Sequence, residues 1–229
     1  MASDKNIKVT DNIRRYYLQQ IKVLGEDEIY LSKANELLMD LEELYNKTKD
    51  CRKCPLCESR TNYVFGAGDP HADLMLIGEA PGRDEDLKGE PFVGRAGQLL
   101  DKILKAVNFD REEVYITNIL KCRPPNNRDP LPEEVEHCIP TLNKQIDLIK
   151  PQMILCLGRI AVQYLLGLKG SLSKIREDDY EYKGIRVFVT YHPAALLRSQ
   201  QYKRPTWEDV KRLRRYYLKI NNLPDEKLD

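Results

Sequence analysis

Four cysteines in a split pair constrain this 229-residue chain more than any other feature. Cys51 and Cys54 stand three apart, whereas Cys122 follows 68 positions later and Cys138 sixteen beyond that. A CxxC needs only a turn to aim two thiolates at one metal. The second pair must be carried there by the fold, so such a site would staple sequence-distant segments together. Cys57 extends the run to CxxCxxC, which leaves the ligand set open from spacing alone. Six cysteines also permit full disulfide pairing, but CxxC in an intracellular chain is more often metal or redox chemistry. The polar start Met1-Ala2-Ser3-Asp4-Lys5 reads as no secretory leader, and no apolar run reaches a membrane span. The expectation is therefore a cytoplasmic protein with no membrane partner. Cys156, inside Met153-Ile154-Leu155-Cys156-Leu157, reads as a small hydrophobe in a buried strand.

Charge excludes little. Charged residues make up 32% of the chain and nearly cancel, at net +1. Between Arg198 and Lys219 eight Lys and Arg face two acids, a basic stretch that suits phosphates or simply a solvated helix face. Between Glu26 and Lys49 seven acids face three lysines. The abundance of Glu, Lys, Arg and Tyr suits a thermophile's protein.

Hydrophobic periodicity predicts alternating strands and helices. Apolar runs at Leu74–Ile77, Val114–Ile119, Met153–Leu157 and Val187–Tyr191 read as four strands. Helical stripes run over 30–49, Ala96–Val107, Ile160–Leu166 and about Thr206–Leu218, and a helix over Pro132–Ile149 opens on proline. The expected fold is a three-layer α/β/α sandwich around a central four-stranded parallel sheet. Its expected parts are an N-terminal helical extension over 1–49, a main domain over 50–220 and a tail over 221–229. Ligands of such sheets lie beyond the carboxyl ends of the strands. Gly78-Glu79, Asn118, Gly158 and His192 all fall at or just past those ends.

The chemistry of those positions is suggestive. Gly78-Glu79-Ala80-Pro81-Gly82 is a tight loop that matches neither nucleotide-loop pattern, GxxxxGK[ST] or GxGxxG. Asn118 carries a donor and an acceptor on one planar amide, suited to a base edge. His192, held before Pro193, is placed to stabilise an oxygen that gains charge. Phe92, between glycine and proline, reads equally as core or as a stacking plate.

Gly78-Glu79-Ala80-Pro81-Gly82, Pro91-Phe92-Val93-Gly94, Thr117-Asn118, Lys121-Cys122-Arg123-Pro124-Pro125 and His192-Pro193-Ala194 together resemble the family 4 uracil-DNA glycosylases, iron–sulfur members of their superfamily. The resemblance runs from about Cys51 to about Leu218. It implies a monofunctional enzyme that flips uracil out of DNA and hydrolyses its glycosidic bond, releasing free uracil and leaving an abasic site. It implies Cys51, Cys54, Cys122 and Cys138 as ligands of a structural 4Fe-4S cluster, with Leu56 in the place of a family leucine and Cys57 a bystander. It implies Gly78, Glu79 and Ala80 as the backbone wall of the uracil pocket, Phe92 as the stacking ring, Asn118 as reader of O4 and N3–H, and His192 beside O2. Glu85 matches an acid of the pocket loop, where bulk beside C5 excludes thymine. Pro193, Leu196, Leu197 and Arg198 correspond to the DNA-binding loop that fills the gap left by the flipped nucleotide. Where the best-known branch has an aspartate to position water, this chain has Ala80, which leaves that role to Glu79 or Glu85, or to a water that needs no strong base. The expected partner is uracil-containing DNA, single- or double-stranded, met by a monomer. The competing readings are a non-catalytic nucleic-acid module on a four-cysteine zinc site and an electron-transfer protein, the latter disfavoured by spacing unlike that of compact ferredoxins.

Overall fold

The structure is a computed structural model that describes residues 40–227. The chain divides into two compact units, Met1–Leu44 and Tyr45–Asp229. Most of the helix expected over 30–49 lies outside the described residues, and the part described is α1, Leu41–Thr48.

Six strands form one sheet: β1 (Ala67–Gly68), β2 (Leu74–Gly78), β3 (Tyr115–Asn118), β4 (Met153–Leu157), β5 (Tyr180–Tyr182) and β6 (Ile185–Thr190). Their order is β1-β3-β2-β4-β6-β5. The four expected strands are its parallel centre, in the order β3-β2-β4-β6. Two short antiparallel strands, β1 against β3 and β5 against β6, flank that centre. They are absent from the sequence reading because two or three residues are too few to show an alternating pattern.

The helices after α1 are α2 (Leu56–Ser59), α3 (Arg83–Lys88), α4 (Arg95–Ala106), α5 (Pro132–Ile149), α6 (Arg159–Leu166), α7 (Leu172–Ile175), α8 (Pro193–Arg198) and α9 (Lys203–Ile220). The 18 residues of α5 match the expected span, and its ends show why. Pro132 takes the first helical position, where a missing N–H costs nothing, and the Glu134 carboxylate accepts from the Leu131 amide at 2.8 Å. Lys150 ends the helix in the left-handed region at φ 52°. Among the described residues no helix is long and apolar enough to cross a membrane.

Strand residues alternate between two helical layers. Leu74, Leu76, Val114, Ile116, Met153, Leu155 and Phe188 pack with Leu100 and Leu104 of α4 and with Val210 and Leu213 of α9. The other face meets α5, whose Gln145 bonds Thr117 and Tyr115 side chains, and α6, which packs on β2 and β4. Each fully buried aliphatic side chain contributes about 1.5–3 kcal/mol. Because β2, β3, β4 and β6 are parallel, their carboxyl ends emerge on one edge, with Gly78 in register with Asn118 and Leu157 with Thr190.

Candidate active site

A cavity of about 350 Å³ opens at that edge. Glu79, Ala80, Pro81, Gly82 and Glu85 line it from the loop after β2, Phe92 and Ala96 from the start of α4, and Asn118 from the end of β3. His192, Ala194 and Arg198 close one side, and Pro124, Asn127, Arg128 and Asp129 the other.

Glycine at 78 is required by this geometry. A β-carbon there would stand 2.4 Å from Asn118 Oδ1 and 2.7 Å from Phe92 Cζ, so the pocket floor exists only because position 78 has no side chain. Phe92 belongs to the core and also borders the cavity. It is 5% exposed and part of the hydrophobic cluster under the sheet, and its ring also lines the cavity, 5.4 Å from the His192 ring and tilted 30° to it. Its backbone sits at φ 53°, a conformation held in place by the close approach of Gly97, where a β-carbon would meet the Phe92 carbonyl.

Asn118 is 1% exposed, and its Oδ1 is buried with no hydrogen-bond partner. An orphaned buried acceptor costs about 1–3 kcal/mol, which a ligand donor would recover. His192 accepts from the Ala194 amide through Nδ1 at 3.1 Å. That bond puts the ring proton on Nε2, leaving it free to donate. Burial, with Arg198 adding to it, pulls the imidazole down to about 4, so the ring is neutral at physiological pH.

The two candidate carboxylates differ. Glu85 Oε2 accepts from the Gly82 amide at 3.1 Å, and its Oε1 accepts from Val93 and Gly94 at 3.0 and 2.9 Å, tying the two pocket loops together. Glu79 is half-buried, and its carboxyl is pushed up to about 7 by burial first and by Asp129 second, against Arg159 and Arg198. Asp129 is itself paired with Arg159 at 2.6 Å. Within α8, Pro193 and Leu196 are buried, while Leu197 stands 45% exposed beside Arg198.

The cysteines meet at the far end of the same short segment. Cys122 and Cys138 are buried, Cys51, Cys54 and Cys57 are half-buried, and all are free thiols. Cys122 senses Cys138 and Cys54, and Cys138 senses Cys54 and Cys51, so the four form one electrostatic group, with Cys57 also beside Cys54. Burial pushes the Cys122 thiol up to about 12, and the Arg60 guanidinium, donating to its sulfur at 3.1 Å, pulls the other way. Deprotonating such thiols calls for a stronger positive charge, which metal provides. Among the described residues no three His, Cys, Asp or Glu side chains are close enough to hold a single ion. Four cysteine sulfurs, two of them buried, are a donor set of the kind that holds either zinc or an iron–sulfur group. Cys156 is fully buried in β4, with its thiol raised by burial.

Sequence reasoning missed the second wall and the lysine behind it. Pro124, Asn127, Arg128 and Asp129 are not among the expected site residues, although their attachment to Cys122, four residues past the end of β3, places them at the pocket. Lys121 is 0% exposed and donates to Thr117 Oγ1 at 2.5 Å, Gln145 Oε1 at 2.7 Å and the Asn118 carbonyl at 2.8 Å. No composition or periodicity marks a lysine as buried.

Residues 65–211 match the family model of the Uracil DNA glycosylase superfamily. The chain is 47% identical over 181 residues to a type-4 uracil-DNA glycosylase of Archaeoglobus fulgidus, covering 76% of this chain and 91% of that one. It is 41% identical over 183 residues to the type-4 enzyme of Thermotoga maritima, with 78% and 95% covered. A type-5 uracil-DNA glycosylase of Pyrobaculum aerophilum is 28% identical over 188 residues.

Proposed function

Because the chain belongs to the uracil DNA glycosylase superfamily, we propose that it is a DNA repair enzyme that flips uracil from DNA and hydrolyses its N-glycosidic bond. Free uracil leaves and an abasic site remains. The observation that carries this reading is the pairing, in one cavity, of the unpartnered Asn118 Oδ1 with a neutral His192 whose Nε2–H is free.

The flipped base stacks on Phe92. Asn118 accepts from uracil N3–H through Oδ1 and donates to O4 through its amide nitrogen. His192 Nε2–H donates to O2. As the glycosidic bond lengthens, electrons move onto the base, and the charge spreads over O2 and O4. Donors fixed in a dry pocket stabilise that charge more than they stabilise the neutral base. The sugar becomes oxocarbenium-like and takes a water. Glu79 is the carboxylate left free for that water, since both oxygens of Glu85 are engaged by backbone amides. Glu85 holds the loop whose bulk excludes the thymine methyl. Leu197 and Arg198 enter the minor groove, with Pro193 and Leu196 anchoring their helix. Among the described residues no lysine lines the cavity, so no Schiff base forms and the strand stays unbroken.

Cys51, Cys54, Cys122 and Cys138 hold a 4Fe-4S cluster, whose charge and bonds keep the loops around the pocket in place. The main domain spans 50–220, preceded in sequence by an N-terminal extension and followed by a short tail, and the protein acts inside the cell as a monomer. The test is single-turnover excision on duplexes with one U·G, U·A or T·A pair, with alkali to reveal abasic sites. Uracil-dependent breaks only after alkali support the reading. Breaks before alkali, or none, sink it. Brown protein with iron supports the cluster, and colourless protein with stoichiometric zinc does not.

A further inference from the structure

Residues 118–122 run as a strut from the base pocket to the cysteines. Asn118 lines the cavity. The Ile119 and Leu120 amides donate to the carbonyls of Gly78 and Glu79, each at 3.0 Å, and so hold the opposite pocket loop. The Lys121 amide donates to the Cys138 sulfur, and Cys122 follows. Inside the strut lies the Lys121 ammonium, which no solvent reaches.

Its three hydrogen bonds go to neutral oxygens of Thr117, Asn118 and Gln145. Among the described residues no carboxylate pairs with it, and burial lowers its pKa to about 7, with Cys138 working the other way. The acceptors are themselves tied down. Thr117 Oγ1 donates to the Phe65 carbonyl at 2.8 Å, and Gln145 Nε2 donates to Phe65 O and Tyr115 Oη at 3.0 and 3.1 Å. One bond of Lys121 Nζ thus falls on the backbone of the base-reading residue.

We propose that Lys121 is a positioning residue for base recognition: through its three buried hydrogen bonds it holds the end of β3 so that the Asn118 amide meets the base edge. This rests on reading the cavity as a uracil pocket.

The test is a double-mutant cycle of Lys121→Met and Asn118→Ala in the iron-loaded full chain. Iron content, affinity for undamaged duplex, single-turnover uracil excision and amide hydrogen exchange are measured. Lys121→Met is expected to keep iron and duplex affinity, to slow excision roughly tenfold or more, and to slow it no further when Asn118 is already Ala. Its Ile119 and Leu120 amides should exchange faster while those of Ile154 and Leu155 are unchanged. Equal slowing in both backgrounds, or unchanged exchange at 119 and 120, overturns the proposal. Should Lys121→Met not fold or load iron, Thr117→Val removes one acceptor at constant shape. It should slow excision a few-fold, again only with Asn118 present, and wild-type behaviour of Thr117→Val overturns the proposal. A wild-type chain inactive on uracil sinks the proposed function instead, and the exchange measurement still decides on Lys121.

Discussion

Two groups of buried polar side chains lie at the two ends of residues 118–122, and they are finished differently. At the cysteine end every described hydrogen-bonding partner is engaged: Lys121 makes three bonds, Gln145 bonds through both its oxygen and its nitrogen, and Arg60 bridges Cys122 to the Lys49 carbonyl. At the pocket end Asn118 Oδ1 has no partner, His192 Nε2 is free, and Glu79 sits half-buried with its ionisation pushed toward neutral pH. Satisfied networks specify one structure, whereas unsatisfied ones wait for a ligand. The contrast teaches that loss of a cysteine at the first end should appear as lost fold, and damage at the second as lost rate with the fold intact.

The largest effect tests the satisfied end. Cys122→Ser should lose iron and lower the melting temperature on the order of 10 °C or more, because a buried ligand of the stapling group is gone. Cys57→Ser and Cys156→Ser should keep iron. Metal analysis with thermal melts checks this, and iron loss in Cys57→Ser with retention in Cys51→Ser would reassign the ligands.

At the pocket end, His192→Ala should slow excision about a hundredfold or more at nearly unchanged melting temperature and duplex affinity. Equal losses of rate and affinity would make His192 a binding residue. A neutral ring with its pKa near 4 also predicts no histidine limb in the pH–rate profile above pH 5.

Gly78→Ala blurs the contrast from inside. Its β-carbon must displace Asn118 or Phe92, so excision should fall on the order of tenfold to a hundredfold while iron content holds. A crystal structure of the variant with an unmoved Asn118 and full activity would remove the floor from the argument.

The smallest effect concerns Glu79. With a folded-state pKa of about 7, above its unfolded value, Glu79 holds its proton longer in the folded chain. Stability therefore falls as pH rises from the ordinary carboxylate range to about 7. Glu79→Gln should melt higher than wild type at pH 8 and no higher at pH 4. The anion is also the form that holds water, so wild-type excision should rise with pH through about 7, and Glu79→Gln should flatten that limb. A flat wild-type profile would leave the water to another group.

The same contrast explains what was legible in the sequence. The parallel strands show as apolar runs because both faces are covered, and α5 shows its start because Pro132 is a local signal. The pocket residues at strand ends were legible because parallel topology brings those ends together. The Lys121–Gln145–Phe65 network was not, since it joins residues up to 80 apart and its polar members, Lys and Gln, are types that ordinarily face water. The left-handed Phe92 was equally hidden, because its conformation follows from the backbone of Gly97 and not from its own chemistry. The engagement of Glu85 by three amides, and the freedom of Glu79, required the loop geometry as well.

The short antiparallel strands at the two margins of the sheet bear on how copies of the protein behave beside each other. A four-stranded parallel ribbon with bare sides would offer two long rows of unpaired amides and carbonyls to any passing chain. Here β1 covers one side with two residues, and β5 covers the other with three before turning at Lys183-Gly184. Neither is long enough to template a neighbour, and the turn carries charge, with Lys183 paired to Asp147. Protection against edge-to-edge aggregation is thus written into the least conspicuous strands of the fold, where a crowded or heated solution would otherwise find its first foothold.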